Sequence, residues 1–265
     1  MLGQSGWSQT DTLRLPWTFY IPHKPTAKQL AFLLLENQEA LYGGAAGGGK
    51  SDALLMAALQ YIDVPGYSAL LLRRSYTDLS LPGALMDRAR LWLMPSDATW
   101  RDSMKTWQFP SGASLTFGYL ERPGDEYRYQ STEFQFIGFD ELTQFQETQY
   151  RYLFSRLRRA NDVDVPLRMR SASNPGGIGH EWVRNRFIEN DVAEDERVFI
   201  PASLPDNPYL DQTAYLASLQ QLDPITRQQL LAGDWSARQP GNLFKREWFP
   251  VVDEQPIHVN RSVRY

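Results

Sequence analysis

Eight consecutive residues, Gly44-Ala45-Ala46-Gly47-Gly48-Gly49-Lys50-Ser51, constrain this chain more than any other feature. They fit the pattern G-x-x-x-x-G-K-[ST]. They lie between a short apolar run at 40–42 and an Ala-, Leu- and Met-rich stretch that reads as a helix from Ser51 to about Ile62. Strand, glycine-rich turn and helix, in that order, form the context the pattern requires. Ordered glycine costs backbone entropy, so a loop this rich in it needs a use. Small residues let backbone N–H groups turn inward around phosphate oxygens, and the helix that follows aims its positive end at the same anion. Lys50 is spaced to reach the β- and γ-phosphates and the Ser51 hydroxyl to ligate Mg²⁺. Gly44 through Ser51, with Asp52 in the first helical turn, form the candidate nucleotide-binding set. A flexible linker would not place Lys-Ser at this spacing and then start an apolar helix.

A second requirement of such chemistry is an acid at the end of a neighbouring strand. The segment 133-EFQFIGFDE-141 reads as a strand that supplies two. Asp140 is the candidate Mg²⁺ partner and Glu141 the candidate general base for the attacking water. The Asp-Glu pair and the lack of an Asn-Lys-x-Asp guanine-reading motif argue for ATP over GTP.

Helical and strand patterns alternate along the chain, which predicts a mostly parallel sheet covered by helices. Helices are expected over 26–35, with Thr26 as cap, and over 79–94, 143–159 and 180–189. Strands are expected at 68–73, 167–172 and 198–200, and a hairpin joins 107–109 to 114–117 through Pro110-Ser111-Gly112. Two short helices follow Asp206. At 265 residues with net charge −4, the chain has room for one large α/β domain, and any nucleic-acid contact must use a local patch. It contains no cysteine, which excludes disulfides and thiolate sites, and its three histidines are scattered. No stretch has the roughly 20 apolar residues of a membrane helix. The Trp and Tyr residues read as packing residues, not as base-stacking platforms.

Several segments together resemble the ATPase half of the large terminase subunit of tailed double-stranded DNA bacteriophages. These are 24-KPTAKQLAF-32, 43-GGAAGGGKS-51, 70-LLLRRSYTDL-79, 127-YRYQSTEFQFIGFDELTQF-145, 171-SASNPGGIGHEWVRNRF-187 and 229-QLLAGDWSARQPGNLF-244. The segment from Ser171 to Phe187 is the most specific of them. The resemblance implies a P-loop NTPase of the ASCE type with a small C-terminal lid subdomain. Its parts would be an N-terminal arm (1–20), an ATPase core (21–205), and a lid with a linker toward a nuclease domain absent from this chain (206–265).

The resemblance also implies roles. Gln29 would read the adenine edge. Asn174 would sense the γ-phosphate and couple its loss to movement. An arginine finger is expected from a neighbouring subunit. Family members often carry an arginine inside the phosphate loop, where this chain has only Ala and Gly. Arg128 matches the trans-acting arginine, and Arg73 or Arg74 are alternatives. Arg151, Arg156, Arg158, Arg159, Arg168, Arg170, Arg184 and Arg186 would line a DNA channel or an interface, or form a solvated face. The implied cofactors are ATP and Mg²⁺. The implied partners are double-stranded DNA, the portal protein, the small terminase subunit and further copies of the chain in a ring, pentameric by resemblance, with no membrane. The implied place is the host bacterial cytoplasm during virion assembly, not the mature virion. A helicase or remodelling ATPase, and a nucleotide-binding switch without turnover, stay open as alternatives.

Overall fold

The period-two alternation of the buried strands determines the layering. In β2 (Ser68–Arg73), Ala69 and Leu71 join one apolar cluster while Leu70 and Leu72 join another. In β1 (Glu39–Gly44), Ala40 and Tyr42 face the first cluster and Leu41 the second. Side chains two apart share a face, so both faces of the sheet are covered, as parallel strands require. The computed structural model describes residues 18–159, 163–189 and 197–237. The expected arm at 1–17 and everything from 238 onward lie outside the described residues. The latter includes the end of the 229–244 segment.

Eight strands form one sheet. Besides β1 and β2 they are β3 (Thr99–Arg101), β4 (Thr106–Gln108), β5 (Ser114–Tyr119), β6 (Phe136–Asp140), β7 (Arg168–Ser173) and β8 (Arg197–Ala202). Their order is β3-β4-β5-β2-β6-β7-β1-β8. From β5 to β8 every pairing is parallel, and β3 and β4 add an antiparallel edge. The strand before the glycine loop (β1) and the strand bearing the two acids (β6) are therefore separated by one strand, β7. Pairing of Gly43 with Ser173 and of Ala172 with Asp140 brings all three strand ends to one level.

Eight helices complete the described fold. They are α1 (Ala27–Leu34), α2 (Lys50–Leu59), α3 (Tyr76–Ser80), α4 (Leu85–Leu93), α5 (Glu147–Phe154), α6 (His180–Phe187), α7 (Gln212–Leu219) and α8 (Pro224–Ala232). Thr26 caps α1 in a capping box with Gln29. Residues Ala53 to Leu59 of α2 are all buried, the pattern of a helix enclosed by core. The helix expected over 79–94 is two helices, because Leu81 precedes Pro82 and is extended (ψ 153°). The helix expected over 143–159 is shortened to α5; Leu157 leaves it to bridge Phe134. The core reaches further back than the expected boundary at 21, because Thr18 and Tyr20 are buried and Tyr20 Oη donates to Asp97 at 2.7 Å. Among the described residues no helix is long and apolar enough to cross a membrane.

Candidate active site

The glycine loop leaves β1 at the carboxyl edge of the sheet, where open α/β sheets form their binding crevices. It enters α2 through Gly49, whose left-handed backbone (φ 72°) serves as the N-cap. A Cβ there would lie 2.8 Å from Gln29 Nε2, so a side chain is excluded both by strain and by contact. The N–H groups of Lys50, Ser51 and Asp52, in the first turn of α2, have no intrahelical acceptor and adjoin a cleft of about 350 Å³ lined by Ala46 to Asp52, Glu141 and Asn174. Two earlier loop amides are used differently. Ala45 N–H donates to Ala202 O (2.9 Å) and Ala46 N–H to Leu230 O of α8 (2.7 Å). These two bonds shape the loop and leave the later amides for an anion.

Lys50 is 7% exposed and its Nζ donates to Ala45 O at 2.5 Å, so the ammonium lies across the loop it closes. Burial lowers its pKa to about 8, against the pull of the Glu141 and Asp140 charges. Ser51 Oγ donates to Asp140 Oδ1 at 3.2 Å. Asp140 Oδ2 is held by Arg73 Nη1 at 2.7 Å from the end of β2. Hydroxyl and carboxylate oxygens are the hard donors that suit Mg²⁺, which keeps several waters and shares its shell with substrate phosphates. Among the described residues no group of three His, Asp or Glu could cage a metal alone. The Ser51–Asp140 pair thus fits an ion that arrives with a nucleotide.

Glu141 directly follows β6 in a left-handed conformation (φ 56°). For a residue with a side chain this conformation costs about 1–2 kcal/mol. The turn carries its carboxylate to the cleft, where burial first and the Asp140 charge second raise its pKa. Lys50, Arg73 and the backbone N–H of Asn174 pull the other way. Asn174, the residue after β7, lines the same cleft, and its buried side-chain Oδ1 has no hydrogen-bond partner.

Gln29 is also brought here. Its Nε2 donates to Gly49 O (2.8 Å) and its Oε1 accepts from Thr26 N (2.8 Å). Asp52 is paired with Arg88 Nη1 of α4 and lies 3.6 Å from His23 Nε2. Arg128 is not brought in. It sits in a 3₁₀ turn after β5, 4.6 Å over the Tyr119 ring and 3.1 Å from Asp125. β5 is four strand positions from β1, about 19 Å at the usual interstrand spacing. Within one chain, Arg73 is the arginine that touches the acids, while Arg74 Nη1 binds Leu120 O.

The arginines expected along a channel divide. Arg151, Arg158 and Arg159 are exposed and Arg156 is half-buried. Arg168 and Arg170 are interior: Arg170 is fully buried, binding the carbonyls of Leu35, Gln38 and Met169. Arg186 binds Glu39 at 2.5 and 2.9 Å, and Arg184 pairs with Glu189. These roles as caps and buried pairs rule out a channel lining for Arg168, Arg170 and Arg186. The sequence reading also missed residues that reach the site from afar. Arg88 does so from α4, Asn207 binds Gly47 O at 2.8 Å, and Tyr215 lines the cleft. No local pattern marks any of these.

The segment from 206 to 237 reaches the site directly. Gly233, the left-handed cap of α8 (φ 65°), packs so closely that a Cβ would stand 2.5 Å from Ala45 N. His180 Nδ1 accepts from Gly176 N–H (2.9 Å), so its Nε2–H donates to Trp235 O (3.1 Å). The loop after Asn174 is thereby tied to the segment that follows α8.

The family described as terminase large subunit, T4likevirus-type, N-terminal, matches residues 41–251. The chain belongs to the large terminase subunit family. Among curated proteins no sequence relative matches it. Its fold is similar to the large terminase of a thermophilic bacteriophage (TM-score 0.66, 13% identity), over 80% of this chain and 54% of that one. The same terminase in complex with ATP-gamma-S gives TM-score 0.64 and 14% identity, over 80% and 53%. The Thermus phage P74-26 large terminase ATPase domain gives TM-score 0.53 and 13% identity, over 82% and 96%. The chain therefore spans about half the length of the full large terminases it matches and nearly all of an isolated ATPase domain. The mostly parallel ASCE-type P-loop fold is the one these structures share.

Proposed function

We propose that this chain is the ATPase motor domain of a packaging terminase. It hydrolyses ATP with Mg²⁺ to move double-stranded DNA into a procapsid, in the host cytoplasm during assembly. The observation that carries the reading is the convergence of Lys50, Ser51, Asp140 and Glu141 on one cleft at the ends of β1 and β6. Lys50 and the amides of Gly47 to Asp52 bind the phosphates. Ser51 and Asp140 would hold Mg²⁺, which would supply positive charge against the phosphates. Glu141, with its raised pKa, takes the proton of the attacking water. Asn174 donates its N–H to Glu141 and continues into the loop that His180 ties to Trp235. That path gives hydrolysis a mechanical outlet to the lid.

Arg128 lies too far from its own loop, which supports its use by a neighbouring copy in a ring. The portal protein, the small terminase subunit and the DNA are the other partners this reading implies. The test is ATP turnover per chain against protein concentration, with Glu141→Gln as reference. Turnover that rises with concentration and loses the rise in Arg128→Ala, at unchanged nucleotide affinity, supports the ring motor. Turnover independent of concentration moves the finger to Arg73. Turnover equal to the reference at every concentration, with portal and DNA present, overturns hydrolysis and favours a binding switch.

A further inference from the structure

One position of the phosphate loop is wrapped by the chain that follows β8. Asn207 Nδ2 donates to Gly47 O at 2.8 Å. A Cβ at Gly47 would lie 2.6 Å from Leu210 Cδ2, 3.0 Å from Leu204 Cδ1 and 3.3 Å from Tyr215 Cε1. The Gly47 backbone is also left-handed (φ 75°). Space and conformation both bar a side chain here. Lys50 is the one cation in the loop from Gly44 to Ser51, whereas a transferred phosphoryl group spreads its charge over three oxygens. A further donor has to come from outside the loop.

Tyr215 of α7 is placed to supply it. Its Cε1 is the ring carbon next to the one that bears the hydroxyl, so the polar end of the ring is what meets Gly47. Tyr215 and Glu141 line the same cleft. Burial first and the Glu141 charge second raise the Tyr215 pKa, which keeps the phenol protonated at neutral pH. Glu141 marks the γ-phosphate end of the cleft, because a general base must stand within reach of the attacking water. Neighbouring polar groups are already engaged. Lys50 lies across Ala45 O, Ser51 meets Asp140, and Asp52 meets Arg88. The Asn207 amide serves Gly47 O and Tyr209 N–H. Among the described residues no hydrogen bond engages the Tyr215 hydroxyl; the residue's backbone carbonyl alone accepts from a side chain, Ser218 Oγ (2.7 Å).

Building on the ATPase reading, we infer that the Tyr215 hydroxyl donates a hydrogen bond to a γ-phosphate oxygen of the bound nucleotide, so that α7 distinguishes a triphosphate from a diphosphate. ADP has no acceptor at that place. The contact therefore exists only until the γ-phosphate leaves, and it joins α7 to the nucleotide for that part of the cycle.

The test is calorimetric titration of the full chain, in Mg²⁺, with the non-hydrolysable analogue AMP-PNP and with ADP. Tyr215→Phe removes the hydroxyl and keeps the ring over Gly47. It should weaken AMP-PNP by about tenfold to a hundredfold, the range for a hydrogen bond to a charged group. ADP affinity should stay within about twofold of wild type, which also shows that the variant is folded. Tyr215→Ala, which removes the ring as well, should lose at least as much for AMP-PNP. Wild-type AMP-PNP affinity in Tyr215→Phe overturns the inference and leaves Tyr215 as packing over the loop. Equal weakening of AMP-PNP and ADP in Tyr215→Phe overturns it too, since the hydroxyl would then act on the loop and not on the γ-phosphate. Both of these outcomes leave the ATPase reading standing. Binding of neither nucleotide by the wild-type chain overturns that reading together with the inference.

Discussion

The two ends of the same strands treat charge in opposite ways. At the amino end of β1, β7 and β8, Glu39 is enclosed by Arg186, Arg197 and the Tyr150 hydroxyl (3.0 Å). Beside it Arg170 caps carbonyls near the end of α1. Glu39 and its partners satisfy one another, and Arg170 is satisfied by backbone carbonyls, which ties α1 to the sheet. At the carboxyl end, the Lys50 pKa is lowered by burial, the Glu141 pKa is raised and its backbone strained, Asp140 is shared between Ser51 and Arg73, and Asn174 Oδ1 has no partner. Perturbed, under-satisfied groups in a cleft mark a functional site. Equally buried charges that satisfy each other mark a structural one. Burial of charge alone would not separate the two; the state of its partners does.

The largest expected contrast is catalytic. Glu141→Gln should lower ATP turnover by about 10²- to 10⁴-fold while ATP affinity holds, as read by single-turnover kinetics beside titration. The matching change at the other end, Glu39→Gln, should do the reverse. Breaking a buried pair costs about 3–5 kcal/mol, so urea unfolding should show a loss of that size. Nucleotide affinity of the folded fraction should stay near wild type. If Glu39→Gln changes affinity as much as stability, the division between the two ends fails.

A smaller effect separates the two ends by pH. Lys50 must be charged to hold phosphate, and its pKa stands at about 8. ADP affinity should fall as pH rises from 7 through 9, and Lys50→Arg should flatten the profile. Stability should move the other way. The folded pKa is below the unfolded one, so the penalty on charged Lys50 is full below pH 8 and lifts as pH rises toward 10.5. Glu141 has the opposite sign: its raised pKa gives stability that is full below the ordinary carboxylate range and lost as pH rises through the folded value.

The smallest expected change is a gain. Glu141→Gly removes a left-handed side chain and a buried carboxylate, so it should stabilise the chain by about 1 kcal/mol in thermal melts while abolishing turnover. An unchanged or lowered melting temperature would mean that Glu141 holds its turn together.

Much of the site was legible in one dimension because phosphate binding needs contiguous backbone. A strand, small residues, Lys-Ser and a helix must follow one another for the amides and the helix start to converge. The paired acids at the end of an apolar strand were legible for the same reason, and Thr26 announced itself as a cap through its place after Pro25 and before an apolar helix. Residues whose roles depend on helix packing were not legible. Arg168 and Arg170 looked like surface cations until α1 placed its carbonyls over them. The sequence by itself determined the phosphate loop, the acids and the alternation that makes a parallel sheet, since each rests on neighbours in the chain. Only the tertiary structure decided which arginine touches Asp140, which charges are inert and where α8 presses on the loop. Those outcomes depend on strand order and helix packing, which bring together residues that no local spacing connects.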